Sequence, residues 1–114
     1  MIVCVPVDRT GSVDARWGRA ARVAVATVED GAITHWNEFD VAWDSLHDAG
    51  SEARHHARVA RFLRDHHVEV VVAHHMGAGM SRMLTTMGVK IALGGTGTAR
   101  DAVVTASANA VPPD

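Results

Sequence analysis

The sequence predicts an α/β fold: one domain on a five-stranded mixed sheet with helices on its faces, in the order βββαβαβα. Three observations carry this prediction. The chain opens on an apolar run from Ile2 to Val7; two apolar segments flank the dipeptide Asp30-Gly31; and after residue 50 short β-branched runs alternate with stretches of helical periodicity. At 114 residues the chain suits a single domain that buries its core without disulfides.

The elements follow in chain order. Ile2 to Val7 is a continuous β-branched run, ended by Asp8-Arg9-Thr10-Gly11, as expected of a strand covered on both faces. After a loop over 8–20, Arg22 to Glu29 and Ala32 to Phe39 read as antiparallel strands joined by a two-residue turn at Asp30-Gly31. Residues 40–50 have no sustained period and read as an irregular connection. From Glu52 to His67 a helical wheel groups Ala53, Ala57, Val59, Ala60 and Leu63, with His56 among them and His55 at the boundary, while Arg54, Arg58, Arg61 and Asp65 point away. Glu69 to Ala73 is a fourth strand, Ala78 to Met87 a helix with Gly88 as its cap, and Val89 to Leu93 a fifth strand. Thr98 and Asp101 form a capping pattern that starts a last helix to about Ala108. The domain is thus expected over 1–108, with a flexible tail over 109–114.

Composition narrows the functions available. The chain is 47% hydrophobic and 21% charged, with no apolar run near the ~18 residues of a membrane span. A formal net charge of −2 provides no basic footprint for nucleic acid. Residues 1–7 lack a basic leader and a small-residue cleavage site, so a cytoplasmic location is expected. Cys4 is the only cysteine and sits within an apolar strand, which excludes an intrachain disulfide and a thiolate-only metal site from one copy.

Eight histidines remain, six of them in the adjacent pairs His55-His56, His66-His67 and His74-His75. Imidazole is a common metal ligand and titrates near neutral pH, so this enrichment points to metal or cluster binding or to proton handling. In a sheet with parallel strands, ligands bind beyond the strand carboxyl ends. Asp8, His47, His55, His56, His74, His75, Met76, Gly77 and the Gly94–Thr98 turn should converge there, and His66 and His67 should lie at the opposite edge. His47, His55, His56, His74 and His75 are the metal-ligand candidates. Successive side chains of an extended segment point oppositely, so only one of His74 and His75 should face the site. His74 to Gly79 leads from a strand into a helix, where backbone N–H groups and the helix dipole attract anions. Arg16 and Arg19 could clamp an anion from the preceding loop. Trp17 has two readings, as a cover against water or as an anchor for that loop. Gly95 and Thr96 belong either to an anion-binding backbone nest or to a turn feeding the last helix. Met80, Met83, Leu84 and Met87 read as core packing, and Trp36 and Trp43 as exposed aromatics suited to a protein interface.

Three stretches together resemble a known family: 3–8 (Val-Cys-Val-Pro-Val-Asp), 13–20 (Val-Asp-Ala-Arg-Trp-Gly-Arg-Ala) and 70–79 (Val-Val-Val-Ala-His-His-Met-Gly-Ala-Gly). With the Gly88-Val89-Lys90 strand entry, their order and spacing are similar to the dinitrogenase iron-molybdenum cofactor biosynthesis family, the NifX-like small carrier proteins, over about residues 1–105. The resemblance implies a ribonuclease H-like fold and a non-catalytic role in holding an iron-sulfur or iron-molybdenum cluster or its precursor for a delivery partner. Many members carry Ser-x-His-Phe-Gly where this chain has Asp14-Ala15-Arg16-Trp17-Gly18, and two glycines where it has His74 and His75. The resemblance therefore implies a shifted ligand set. A histidine-rich sensor of zinc, nickel or copper is the competing class. A metal-dependent nuclease needs several strand-end acids beyond Asp8 and a basic face, which the sequence does not offer. The expected oligomeric state is a monomer or weak homodimer.

Overall fold

The computed structural model describes residues 1–46 and 51–110, apart from the side chain of Ala110. Nine elements follow one another: β1 (Ile2–Pro6), β2 (Arg22–Glu29), β3 (Ala32–Asp40), α1 (Trp43–Leu46), α2 (Glu52–Asp65), β4 (Val70–Val72), α3 (Ala78–Thr86), β5 (Lys90–Ala92) and α4 (Ala99–Ala110). The sheet order is β3-β2-β1-β4-β5. β1 pairs antiparallel with β2 and parallel with β4, while β2–β3 is antiparallel and β4–β5 parallel. The mixed five-stranded sheet expected from the sequence is present.

Alternation along β1 divides the core in two. Val3, Val5 and Val7 face one side of the sheet and meet Ala99, Val103 and Ala106 of α4. Cys4 faces the other side, in the layer with Val59 and Leu63 of α2 and Met80 and Leu84 of α3. Burial on both faces is what the unbroken β-branched run of β1 required. The β2–β3 turn places Asp30 and Gly31 at φ 52° and 77°, the paired left-handed geometry for which Asp-Gly is favoured. The hairpin register shifts between Thr27 and Val28, marking a bulge.

Four expectations are corrected. The 40–50 connection is not wholly irregular: β3 extends through Asp40, and α1 forms one helical turn, initiated by backbone bonds from Val41, Ala42 and Trp43 to Ala20 and Ala21. Trp43 is buried, stacked edge-on against Trp17 at 5.2 Å and Phe62 at 5.7 Å, so it is no exposed interface residue. The buried stripe of α2 is His55, Val59 and Leu63, spaced i, i+4, i+8, which leaves Ala53 and Ala57 outside and puts His55 deeper than His56. The last helix continues through Ala110, two residues into the expected tail; 111–114 lie outside the described residues. His66 forms the C-terminal cap of α2, and its ring packs against Phe39 and Phe62.

Candidate functional site

α2 and α3 open side by side, and the loop over residues 15–19 closes against them. Between these three segments lies a cleft of about 410 Å³, lined by Arg16, Trp17, Gly18, Arg19, Glu52, His55, His56, His75, Met76, Gly77, Gly79 and Met80 among others.

His55 fastens the loop to the helix. It is 3% exposed, with Nε2 2.7 Å from the Gly18 carbonyl and Nδ1 3.1 Å from Arg58 Nη1. A carbonyl can only accept and a guanidinium can only donate, so Nε2 carries the hydrogen and Nδ1 is the acceptor. Both ring nitrogens are therefore used, and His55, expected as a metal ligand, acts instead as a loop anchor. His56 is half-buried, with Nε2 3.7 Å from Glu52 Oε1, one helical turn back. Gly79 lets the helices approach here: a Cβ at this position would lie 3.3 Å from His56 Cε1.

Gly77 caps α3 with no side-chain hydrogen bond, which leaves the opening N–H groups of that helix to other acceptors. The indole N–H of Trp17 is buried with no hydrogen-bond partner among the described residues; leaving such a donor unpaired costs about 1–3 kcal/mol. Trp17 is 2% exposed and packs edge-on against Trp43. Arg16 is held by Asp14, whose carboxylate accepts from the Arg16 backbone N–H at 2.9 Å and from Nε at 3.5 Å. Glu52 is the one carboxylate of the lining among the described residues.

The expected convergence is partial. Arg16, Trp17, Arg19, His55, His56, His75, Gly77 and Gly79 come together. Both His74 and His75 are exposed, but only His75 lines the cleft, in keeping with the alternation of an extended segment. His47 lies outside the described residues. Asp8 is drawn away: its carboxylate accepts from Thr10 and Ser12 and belongs to a separate depression with Asp14, Arg22 and Asp40. Gly95 packs so closely on β4 that a Cβ would lie 2.8 Å from Val72 Cγ1. Thr96 is exposed in a turn stitched to residues 11–13 through the Val13–Gly97 and Ala99–Gly11 backbone bonds. That turn feeds α4, with Thr98 Oγ1 accepting from Asp101 N, and does not line the cleft. Among the described residues no three His, Cys, Asp or Glu side chains are grouped to hold a metal ion.

Sequence reasoning placed Met76 at this edge but missed Glu52 and Arg58. The Glu52–His56 pair was visible in its i, i+4 spacing; the Arg58 contact was not, because Arg58 was read as pointing away from the apolar face and His55 as lying only at its boundary.

A family model described as dinitrogenase iron-molybdenum cofactor matches residues 1–109. The chain belongs to this family. Solved structures add the fold of this dinitrogenase-cofactor family member. The crystal structure of PH0822 is 17% identical, covering 100% of this chain and 96% of its own, with a TM-score of 0.75. The apo form of the orange protein from Desulfovibrio gigas is 23% identical, covering 99% and 92%, with a TM-score of 0.74. The Thermotoga protein TM1290, provisionally assigned as a NifB protein of the DUF35 family, is 24% identical, covering 94% and 87%, with a TM-score of 0.63. No curated protein matches the chain.

Proposed function

We propose that this protein is a non-catalytic carrier that holds an anionic iron-sulfur or iron-molybdenum type cofactor, or its precursor, in the cleft between α2, α3 and the loop over residues 15–19. The observation that carries this reading is the start of α3 at Gly77, which lines the cleft without a side-chain cap in a chain of this family, with the Arg16 and Arg19 side chains on the same wall. An anion supplies acceptors for the opening N–H groups of α3 and is favoured by its dipole. His75 is the candidate metal ligand, being exposed and on the cleft side. His56 flanks it, Gly79 gives the helices their close approach, and His55 keeps the loop in place through Gly18.

The strand order β3-β2-β1-β4-β5, antiparallel on one flank and parallel on the other, supports the ribonuclease H-like form of the fold. The reading further holds that the domain over 1–108 works in the cytoplasm as a monomer or weak homodimer and passes its cargo to a delivery partner. Among the described residues the imidazoles are not gathered in threes, whereas a zinc, nickel or copper sensor needs three or four gathered donors, which favours the carrier.

The test is anaerobic loading with iron, sulfide and molybdate, followed by gel filtration, metal analysis and a visible spectrum. Wild type is expected to retain iron and colour, His75→Ala and Arg16→Ala/Arg19→Ala to retain about tenfold less, and His74→Ala to behave as wild type. A colourless protein that keeps only zinc, nickel or copper would replace the carrier with the sensor.

A further inference from the structure

We propose that a second groove, between the outward side of α2 and the end of β3, is a docking surface for a short partner segment that carries an apolar side chain flanked by carboxylates. The groove encloses about 580 Å³, within the range of pockets that receive a compact ligand. Its floor is aromatic. Phe39 and Phe62 meet edge-on at 5.6 Å, Trp43 supports Phe62 from below, and both phenylalanines remain half-exposed. Four of the five aromatic residues of the chain thus join in one stack, Trp17-Trp43-Phe62-Phe39, which surfaces here. Partly exposed aromatics on a rigid base are the usual anchors of a protein contact.

The rim selects the partner's charge. Arg54 and Arg61 are exposed and form no ion pair among the described residues. Arg58 stands between them, held by the Leu46 carbonyl at 3.3 Å. Of the two acids of the lining, Asp40 is already paired with Arg22 at 2.9 Å, which leaves Asp65. α2 as a whole carries four arginines against Glu52 and Asp65, a basic helix in a chain of formal charge −2. Carboxylates flanking an apolar tip would meet the arginines while the tip fills the aromatic floor. A second copy is the poorer occupant, because a two-fold contact through this face sets one arginine row against the other. The groove shares no lining residue with the cleft.

Metal-free full-length protein makes the test independent of the carrier reading. The probe is a fluorescein-labelled peptide Asp-Glu-Phe-Glu-Leu-Asp-Asp, read by fluorescence anisotropy. Saturable binding is expected, weakened about tenfold or more by Arg54→Glu/Arg61→Glu and by exchanging the peptide acids for Asn and Gln. Arg64→Glu, on the same helix but outside the groove, is expected to change it less than about twofold. Far-UV circular dichroism checks that the variants, all at surface positions, remain folded. No saturation up to about 1 mM peptide, equal loss in Arg64→Glu, or a homodimer that the double variant dissociates would each overturn the proposal.

Discussion

The Asp8 carboxylate accepts three hydrogen bonds, from the Thr10 hydroxyl at 2.7 Å and from the backbone N–H groups of Thr10 and Ser12. These donors, the Thr10 hydroxyl foremost, favour the charged form and hold the Asp8 pKa below the ordinary aspartate value. A carboxyl with a lowered folded pKa adds stability above its unfolded value of ~3.9 and loses it as the pH falls through the folded one. Asp8→Asn is therefore expected to be less stable than wild type at pH 7 and to approach it at pH 2, as urea melts at the two pH values would show; an equal deficit at both would remove the charge from this account. Asp8 also shows why a site candidate can mislead. A strand-end acid followed by Thr-Gly-Ser fits a ligand site and a self-contained loop equally well, and the difference lies in which donors reach it first.

Among the elements, α2 connects the two depressions, its first turn lining the cleft and its outer side the groove. Ser51 opens it, with Oγ accepting from Arg54 N at 3.1 Å. Ser51→Ala is expected to lower stability by about 1 kcal/mol and Ser51→Asp to retain it, measurable as a shift of the denaturation midpoint at unchanged slope. The long elements were legible because their period of apolar residues runs for several turns; β2, β3 and α3 fall within one residue of their expected ends. α1, at four residues, has no period to read, and its turn depends on carbonyls of Ala20 and Ala21 far back in the chain. The face of α2 was misjudged for a related reason. Alanines at 53 and 57 are apolar enough to suggest burial yet small enough to tolerate exposure, whereas the burial of His55 depends on the approach of Gly18 from another segment.

Across the whole molecule, strand direction and alternation could be derived from the sequence, and with them the edge that carries the cleft. What could not be derived was the depth to which each loop leans into that edge. Gly95 is pressed onto Val72, Thr96 is turned outward, and His74 and His75 are separated by parity alone. Each outcome depends on contacts between segments that no local pattern encodes.

Cys4 lies at the centre of the sheet, paired to Val25 on one side and Val71 on the other, with none of its surface exposed. Burial pushes its thiol pKa far above the ordinary range, so the reactive thiolate is withheld while the fold is closed. Alkylation of this lone thiol therefore reports strand separation and works as a clock for global opening. Maleimide labelling under native conditions is expected to be much slower than in urea and to slow further when the cleft is filled, in proportion to occupancy. Labelling as fast as that of a free thiol would show that the β1 region opens locally. The rate would then reveal whether cargo is aboard even when the cargo has no colour.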